Sequence, residues 1–294
     1  NIPFNADGES DFSNLLRKNP FRAAQADFVQ KKSVMTEDAN PGAIFFKPDG
    51  LKMYILGESS KFIYEYDLPS AWDISSAVLL RSIDFTSQNP THFWIKSDDG
   101  SKLFLLDRTD PNARIREYTL PTPWDIRSFN FVTSLDPYMA YGSDNQNGIV
   151  KTFAFTPSGN TIYAMIVVGQ FNNIDKMVEF SLATPWDLST ANMTSNFGES
   201  VTTTRFHYYA DFRAFTIVGK EILEFFDFNL TNIISRSSLG NYVDSPISLF
   251  LSTNGEKVYV VDYSAAAIAE YNLTYPYTAG NIFNQSSIPF NNLT

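Results

Sequence analysis

Short apolar runs alternate with polar turns along this chain, and the pattern is clearest near its start. Residues 43–46 and 53–56 are apolar runs on either side of Pro48-Asp49-Gly50, a sequence that favours a tight turn. Two further apolar runs follow at 62–68 and 78–85. Runs of this length separated by turn residues predict four antiparallel β-strands. Because the runs are apolar nearly throughout, both faces of the sheet should be buried.

The four-strand pattern repeats along the chain. Turn glycines at positions 50, 100, 159 and 255 each precede a second-strand run, with spacings of 50, 59 and 96 residues. The last spacing is twice 48 and contains a unit that has lost its glycine, at Tyr209-Ala210-Asp211. A second landmark is a leucine two positions after an aromatic residue, at positions 68, 120, 182, 230 and 273. The chain therefore contains five units, and the fourth is degenerate.

Five tandem four-stranded units predict an all-β fold, a five-bladed β-propeller of four-stranded antiparallel blades. Residues 28–35 read as an outer strand without its own three partners, whereas the fifth unit has only three clear strands. The simplest closure makes this N-terminal strand the outer strand of the last blade, which removes open sheet edges. The predicted divisions are a short N-terminal arm at 1–26, the propeller at 27–280 and a C-terminal tail at 281–294.

The first unit carries the most specific motifs. It reads F-x-P-D-G-x-K-M-Y from Phe46 and Y-x-Y-D-L-x-x-x-W-D-I-S from Tyr64. This pattern resembles a β-propeller repeat found in phage tail and virion-associated proteins, and in secreted or surface proteins of aquatic bacteria. The resemblance covers about residues 28–280, closely in the first unit and barely in the fourth. It implies a propeller on a virion or a cell surface, or outside the cell, and it supplies no catalytic residues.

Composition narrows the range of partners. The 294 residues include 22 basic and 32 acidic side chains, for a formal net charge of −10. Such a charge repels polyanions, so nucleic acid is not expected as a partner. Cysteine is absent, which excludes disulfides, thiolate zinc sites and cysteine nucleophiles. No apolar run approaches the roughly 18 residues of a membrane helix, so no membrane span is expected.

An acidic residue stands three positions before the landmark leucine in every unit, at Glu65, Glu117, Glu179, Asp227 and Glu270. One hypothesis is a ring of carboxylates that coordinates cations. The alternative is structural, because a basic residue recurs near the start of the second strand in four units, at Lys52, Lys102, Arg213 and Lys257. Acids and bases at fixed spacing favour cross-strand pairing. Exposed pairs would contribute only about 0–1 kcal/mol each.

Three units carry a Trp-Asp motif four positions after the landmark leucine, at Trp72-Asp73, Trp124-Asp125 and Trp186-Asp187. The indoles could form an aromatic platform for sugars. Alternatively, each Trp fills a gap between blades while the Asp caps the following turn. Repetition in every well-formed unit favours packing.

Catalytic motifs are scarce. The two histidines, His92 and His207, fall on predicted first strands, which line the channel of a propeller, and no G-x-S-x-G or comparable motif accompanies them. Glycoside hydrolysis needs paired carboxyl groups. The predicted first strands contain no Asp or Glu, over 42–46, 92–96, 151–155, 204–208 and 247–251. We therefore predict that the protein is not an enzyme.

Two long polar loops are the candidate binding regions, because insertions in repeat arrays often form a binding face. The loop at 107–112 contains Asp107 and Asp110, and the loop at 136–148 contains Tyr138, Tyr141, Asp144 and Asn145. These six residues are the predicted binding residues. Their oxygens could also hold Ca²⁺, although neither loop matches the twelve-residue calcium pattern. No other metal or cofactor is expected.

Together these features predict a non-enzymatic structural or interaction module on a virion, tail-associated or capsid-associated, or on a cell surface, with receptor binding as one role. Its partners would be other structural subunits or a surface receptor or glycan, and a homo-oligomer is compatible with the sequence. The alternative is a glycan-binding lectin or a glycan-processing propeller enzyme. Within the arm, Phe4, Phe12 and Phe21 either pack on the propeller flank or dock onto another subunit.

Overall fold

The computed structural model of the protein describes residues 26–109, 113–140, 149–168, 174–199, 206–209, 213–225, 233–253 and 255–273. Within these residues, twenty strands form five four-stranded antiparallel sheets. The inner strands of neighbouring sheets contact one another in a closed ring. The fold is therefore a five-bladed β-propeller, which confirms the prediction from the repeats.

Each blade runs from an inner strand near the axis to an outer strand at the circumference. The closing strand is β1 (Ala26–Ser33), and blade 1 contains β2 (Pro41–Phe46), β3 (Lys52–Gly57), β4 (Phe62–Asp67) and β5 (Val78–Asp84). Blade 2 contains β6 (Pro90–Ile95), β7 (Lys102–Asp107), β8 (Arg114–Thr119) and β9 (Asn130–Leu135). Blade 3 contains β10 (Ile149–Phe155), β11 (Thr161–Val168), β12 (Ile174–Leu182) and β13 (Ala191–Glu199). Blade 4 contains β14 (Phe206–Tyr209), β15 (Arg213–Val218), β16 (Glu221–Phe225) and β17 (Ile233–Ser238). Blade 5 contains β18 (Pro246–Leu251), β19 (Lys257–Asp262) and β20 (Ala267–Leu273).

Helical structure within the described residues is limited to single turns. Two 3₁₀ turns, Ile74–Ser76 and Leu188–Thr190, follow the Trp-Asp motifs of blades 1 and 3. One α-helical turn, Pro137–Ala140, follows β9. No helix in this part of the chain is both long enough and apolar enough to cross a membrane.

The N-terminal strand closes the ring as predicted. β1 pairs antiparallel with β20, so the sheet order of blade 5 is β1-β20-β19-β18. Lys31 on β1 forms an ion pair with Asp262 on β19, with 2.7 Å between Nζ and Oδ2. Ala26, which the sequence assigned to the arm, is instead the first residue of this strand, and its backbone N–H donates to Ser237 Oγ of blade 4. Residues 1–25 and 274–294 lie outside the described part of the chain.

Aromatic side chains fill the spaces between neighbouring blades. Phe46 of blade 1 packs on Tyr259 of blade 5, with ring centroids 4.3 Å apart. Phe104 of blade 2 packs on Phe155 of blade 3 at 4.4 Å. All four rings are buried. The nearly continuous apolar strands of the sequence are thus explained by blades that bury both faces.

Candidate functional site

The repeated acidic and basic residues form cross-strand ion pairs, which confirms the structural hypothesis in three blades. The Nζ–Oε1 distances are 2.7 Å for Lys52–Glu65, 2.6 Å for Lys102–Glu117 and 2.5 Å for Lys257–Glu270. The three glutamates are buried, at 2%, 1% and 0% exposure. The assumption that such pairs would be exposed, and so worth very little, is therefore wrong, because a buried carboxylate depends much more strongly on its partner.

Two of these pairs, Lys102–Glu117 and Lys257–Glu270, also contact the next blade. Lys102 Nζ donates to the backbone carbonyl of Trp186 at 2.7 Å, and Glu117 Oε2 accepts the backbone N–H of Leu188 at 2.8 Å. Between blades 5 and 1, Lys257 Nζ donates to the carbonyl of Trp72 at 3.0 Å. These two pairs therefore connect one blade to the Trp-Asp loop of its neighbour. The charged groups of the three pairs are therefore already bonded to other groups of the protein.

The other two units differ. In blade 3, where Thr161 replaces the base, Glu179 Oε1 accepts a hydrogen bond from Thr194 Oγ1 at 2.6 Å. Asp227 lies outside the described residues. In the part of the chain that the structure describes, no group of three or more His, Cys, Asp or Glu side chains could hold a metal ion. The hypothesis of a cation-binding ring therefore has no support within these residues.

The aspartates of the Trp-Asp motifs cap turns, as predicted. Asp73 and Asp187 are N-caps of the two 3₁₀ turns, and each accepts from the backbone N–H two residues further on. Hydrogen bonds from Ser75 and then Gln30 lower the pKa of Asp73 below its ordinary value. The Arg127 guanidinium, which bonds the carboxylate directly, lowers the pKa of Asp125 to about 2. All three carboxylates are structural acceptors.

The tryptophans pack between blades and have an unusual backbone conformation. Trp72, Trp124 and Trp186 have φ angles of 64°, 65° and 63°, a region that bulky residues rarely adopt. Trp72 contacts Phe46 of its own blade and Tyr259 of blade 5. Because these indoles are mostly buried, the structure supports packing rather than a sugar platform.

Asp107 does not lie in an open binding loop. It ends β7 and is 1% exposed. Its Oδ1 accepts the backbone N–H groups of Asn89 at 3.0 Å and Thr109 at 2.8 Å, and its Oδ2 accepts from Arg116 Nε at 2.5 Å. Burial raises the pKa of Asp107, but these hydrogen bonds outweigh burial and the net shift is downward. The side chain joins the end of β7 to the loop before β6.

Blade 5 repeats this arrangement. Asp262 ends β19, and its carboxylate accepts the backbone N–H groups of Asp244 and Ser245 at 3.0 Å. In blade 1 the equivalent strand ends in Gly57, and Asp38 from the preceding loop accepts from Ser60 N at 2.7 Å instead. A buried carboxylate thus stabilises the region around the end of the second strand in three blades.

The remaining predicted binding residues are not brought together by the described part of the chain. Tyr138 lies in the single α-helical turn and is 1% exposed. Asp110, Tyr141, Asp144 and Asn145 lie outside the described residues. A binding role for these residues stays a prediction.

The axis of the propeller is filled by aromatic side chains. Phe45 on the inner strand of blade 1 contacts Trp94 of blade 2, with ring centroids 5.6 Å apart, and Phe250 of blade 5 at 5.3 Å. Because Phe45 touches the inner strands of both neighbours, it lies close to the axis. Cross-strand register places Ala154 of blade 3 and His207 of blade 4 at the same level.

A level of polar residues lies two positions earlier on the inner strands, next to these aromatic rings. Register with the second strands aligns Ala43, His92, Thr152 and Ser248. A β-bulge precedes each of these four residues. We call His92, Thr152 and Ser248 the polar ring. The five inner strands contain no Asp or Glu, in agreement with the sequence analysis.

The outer strands expose a feature that the sequence analysis missed. Each outer strand has a β-bulge, and the bulged residue with the residue before it forms what we call a rim pair, at Phe28-Val29, Leu79-Leu80, Phe131-Val132, Met193-Thr194 and Ile233-Ile234. In blades 1 and 2 the pairs are exposed, with Leu80 at 43% and Phe131 at 55%. The signal was available as an apolar residue at a fixed position of every outer strand, followed by a second apolar residue in all of them except the outer strand of blade 3.

Comparison with known proteins gives little further information about this chain. No family model matches the chain, and no curated protein matches it. Among solved structures, the chain is similar to a Bacteroides uniformis protein described provisionally as a 6-phosphogluconolactonase, with 12% identity and a TM-score of 0.40. The match covers 63% of this chain and 49% of that one. The chain therefore spans about half the length of that protein, and no activity is carried over from it.

Proposed function

We propose that the protein is a non-enzymatic interaction module on a virion or cell surface, which binds another structural subunit through the exposed rim pairs of blades 1 and 2. The observation that carries this proposal is the apolar exposure of their outer strands. Val78 is 61% exposed and Phe131 is 55% exposed. Neighbouring exposed apolar residues on a folded protein are typical of an interaction site.

The outer strand of blade 2 is especially suited to burial against another protein. β9 contains no charged residue, in a chain with a formal net charge of −10. Burying the side chains of β9 themselves would desolvate no charge, and the cores of protein interfaces are depleted in charged residues. The bulges interrupt the edge hydrogen-bonding ladder at the rim pairs. A partner would therefore contact the side chains rather than add a strand.

Several acidic side chains make ion pairs and hydrogen bonds that stabilise the fold, and this also supports a non-enzymatic role. Glu117 and Glu270 are buried in ion pairs, and Asp107 and Asp262 accept backbone N–H groups. A general acid or base must reach a substrate proton. These four carboxylates already bind other groups of the protein. They are also the most deeply buried of the repeated acids.

Site-specific photo-cross-linking in the native assembly tests the proposal. A photoreactive side chain at Val132 should cross-link to a structural subunit of the virion or surface layer. The matched control is the same group at Leu51, which is 44% exposed on a turn of blade 1. Leu51 lies next to the tight turn rather than on an outer strand. Equal yields from both positions, or no cross-link from Val132, would contradict the proposal.

Incubation of the purified protein with a broad glycan panel separates this function from its alternatives. We expect no cleavage products. Cleavage would establish a glycan-processing enzyme instead. Binding that is abolished by Val132→Asp but not by Leu51→Asp would assign the rim pairs to a glycan rather than to a protein subunit.

A further inference from the structure

The aromatic ring of the blade 2 rim pair is exposed and yet held in position. The ring of Phe131 meets Tyr118 edge-on, with centroids 5.8 Å apart. The guanidinium carbon of Arg116 lies 5.8 Å from the centroid of the same ring, and the ion pair with Asp107 fixes Arg116 in turn. Because the ring is already ordered, burying it and the neighbouring Val132 against a partner costs little conformational entropy.

One segment of the chain itself has the composition that this uncharged strand requires. Residues 274–294, which follow β20, contain no Asp, Glu, Lys, Arg or His, although 18% of the whole chain is charged. The segment at 1–25 differs, because it carries six charged residues. Burying 274–294 against β9 would therefore desolvate no charged side chain of the segment. Its large apolar side chains include Ile282, Phe283, Ile288, Phe290 and Leu293.

The backbone of this segment also suits a contact through side chains. Pro276 and Pro289 have no backbone N–H, so they cannot donate to a sheet edge. The bulges of β5 and β9 interrupt the hydrogen-bonding ladder at the rim pairs. Neither side therefore offers a continuous ladder, and the side chains carry the contact.

The chain leaves the described fold on the side of blade 5 that faces blade 4. Leu273 ends β20 and packs against the core cluster that blades 4 and 5 share. It pairs with Ala26, whose N–H donates to Ser237 of blade 4. Blade 1 lies on the opposite side of blade 5, and blade 2 lies beyond blade 1. A route to blade 2 of the same chain must therefore pass around two blades.

A second copy offers the same rim pairs without that detour. The segment contains 21 residues, which span at most about 75 Å when fully extended. This length is sufficient to cross from one copy to the next. Reciprocal exchange between two copies covers both rims with both segments and gives a closed two-fold dimer. A one-way contact would instead leave one rim and one segment without a partner.

We propose that the rim pairs of blades 1 and 2 bind residues 274–294 of a second copy of this chain, in a reciprocal dimer. The inference rests on the proposed function, because it names the partner of these rim pairs. Apolar side chains of the segment contact Leu80, Phe131 and Val132. The protein is thereby its own structural partner.

Photo-cross-linking in a mixture of isotopically labelled and unlabelled protein tests this contact in the full chain. Both forms carry a photoreactive side chain at Val132, and they are mixed and equilibrated before irradiation. Mass spectrometry should find cross-links from position 132 to residues 274–294 that join a labelled copy to an unlabelled one. The same group at Leu51, the matched control, should give no such pairs.

Size-exclusion chromatography with light scattering measures the consequence for assembly. The full chain should reach twice the mass of one copy as its concentration rises, whereas a deletion of 274–294 should remain monomeric. Deleting 1–25 removes a segment of similar length but retains β1, and this variant should still dimerise. Val132→Asp places a charge in the contact and should raise the dimer dissociation constant at least about tenfold. Leu51→Asp should leave that constant unchanged.

Several outcomes would overturn this inference. Cross-links to 274–294 that join only equal labels would place the segment on its own chain. A full chain that stays monomeric at every concentration would exclude the dimer, as would a dimer that survives deletion of 274–294. Cross-links from Val132 to a different subunit, without mixed-label pairs, would overturn the inference but leave the proposed function standing. If Val132 cross-links to no protein at all, both fail.

Discussion

The indole of Trp72 lies directly against the backbone of Gly50. A Cβ atom placed on Gly50 would be 2.5 Å from Trp72 Cε2, a distance that real Cβ atoms do not show. The backbone N–H of Trp72 also donates to the carbonyl of Gly50 at 3.0 Å. The same relationship joins Gly100 to Trp124 and Gly159 to Trp186. In these three units the turn glycine and the tryptophan are therefore one structural element.

We expect Gly50→Ala to destabilise the protein strongly. Gly50 has a φ angle of +72°, where an alanine costs about 1–2 kcal/mol. The added methyl group must also displace a packed indole, at a further cost of about 1–3 kcal/mol. Chemical denaturation should therefore show a free energy of unfolding lowered by about 2–5 kcal/mol in total.

Gly219→Ala is the matched control for this change. Gly219 also has a positive φ, +59°, but nothing lies within 4 Å of its added Cβ. Only the backbone cost of about 1–2 kcal/mol should appear. If the free energy of unfolding falls equally in both variants, the contact between Gly50 and Trp72 contributes nothing to stability.

Lys102→Met should be far more destabilising than the loss of a surface ion pair. It leaves Glu117 buried at 1% exposure without its cation, which typically costs about 3–5 kcal/mol. Adding Glu117→Gln should recover part of the loss, because the amide carries no charge. Urea unfolding of the two single variants and the double variant measures the coupling.

The pair Lys220–Asp244 provides the comparison, since its side chains are 43% and 74% exposed. Lys220→Met should change the free energy of unfolding by no more than about 1 kcal/mol. A similar effect from Lys102→Met would show that burial of Glu117 does not strengthen its ion pair.

Much of the fold could be predicted because its signals are local. Apolar runs, turn glycines and the repeated leucine fixed the number of blades, and the unpaired strand before Pro41 predicted closure by β1. The Lys–Glu pairing followed from spacing, because the two residues lie on adjacent strands about 13–15 residues apart.

Other features depend on contacts between distant parts of the sequence. Burial of Glu117 requires the backbone N–H of Leu188, which is 71 residues further along the chain. Asp107 was predicted as a binding residue because a polar loop follows it, yet its partners include Asn89 on the preceding loop. One signal was overlooked: Asp107 and Asp262 both end second strands, so the position recurs as a structural one.

Asp262→Asn should remove part of the acid sensitivity of the fold. Burial raises the pKa of Asp262, but hydrogen bonds from Lys31, Ser245 and Asp244 outweigh it, so the pKa in the folded protein is below the ordinary value of 3.8. A carboxyl with a lowered folded pKa stabilises the protein above its unfolded pKa, and this contribution disappears as pH falls through the folded pKa. The variant should therefore be less stable than wild type at pH 7, by about 1–3 kcal/mol.

The difference between wild type and Asp262→Asn should shrink as pH is lowered from about 5 to below about 3. Urea midpoints measured across this range test the expectation. A difference that stays constant with pH would mean that the charge of Asp262 does not contribute to the stability of the folded protein.

Removing the closing strand should convert the protein into an aggregating species. β1 covers the edge of β20, and Phe28 stacks on Tyr242 with ring centroids 3.9 Å apart. Deleting residues 1–34 exposes that edge to other chains and removes the partner of the buried Asp262. We expect large species in size-exclusion chromatography with light scattering, and a lower melting temperature. Deleting only residues 1–25 retains β1 and should not produce the large species. A monomeric 1–34 deletion with wild-type melting would contradict closure by β1.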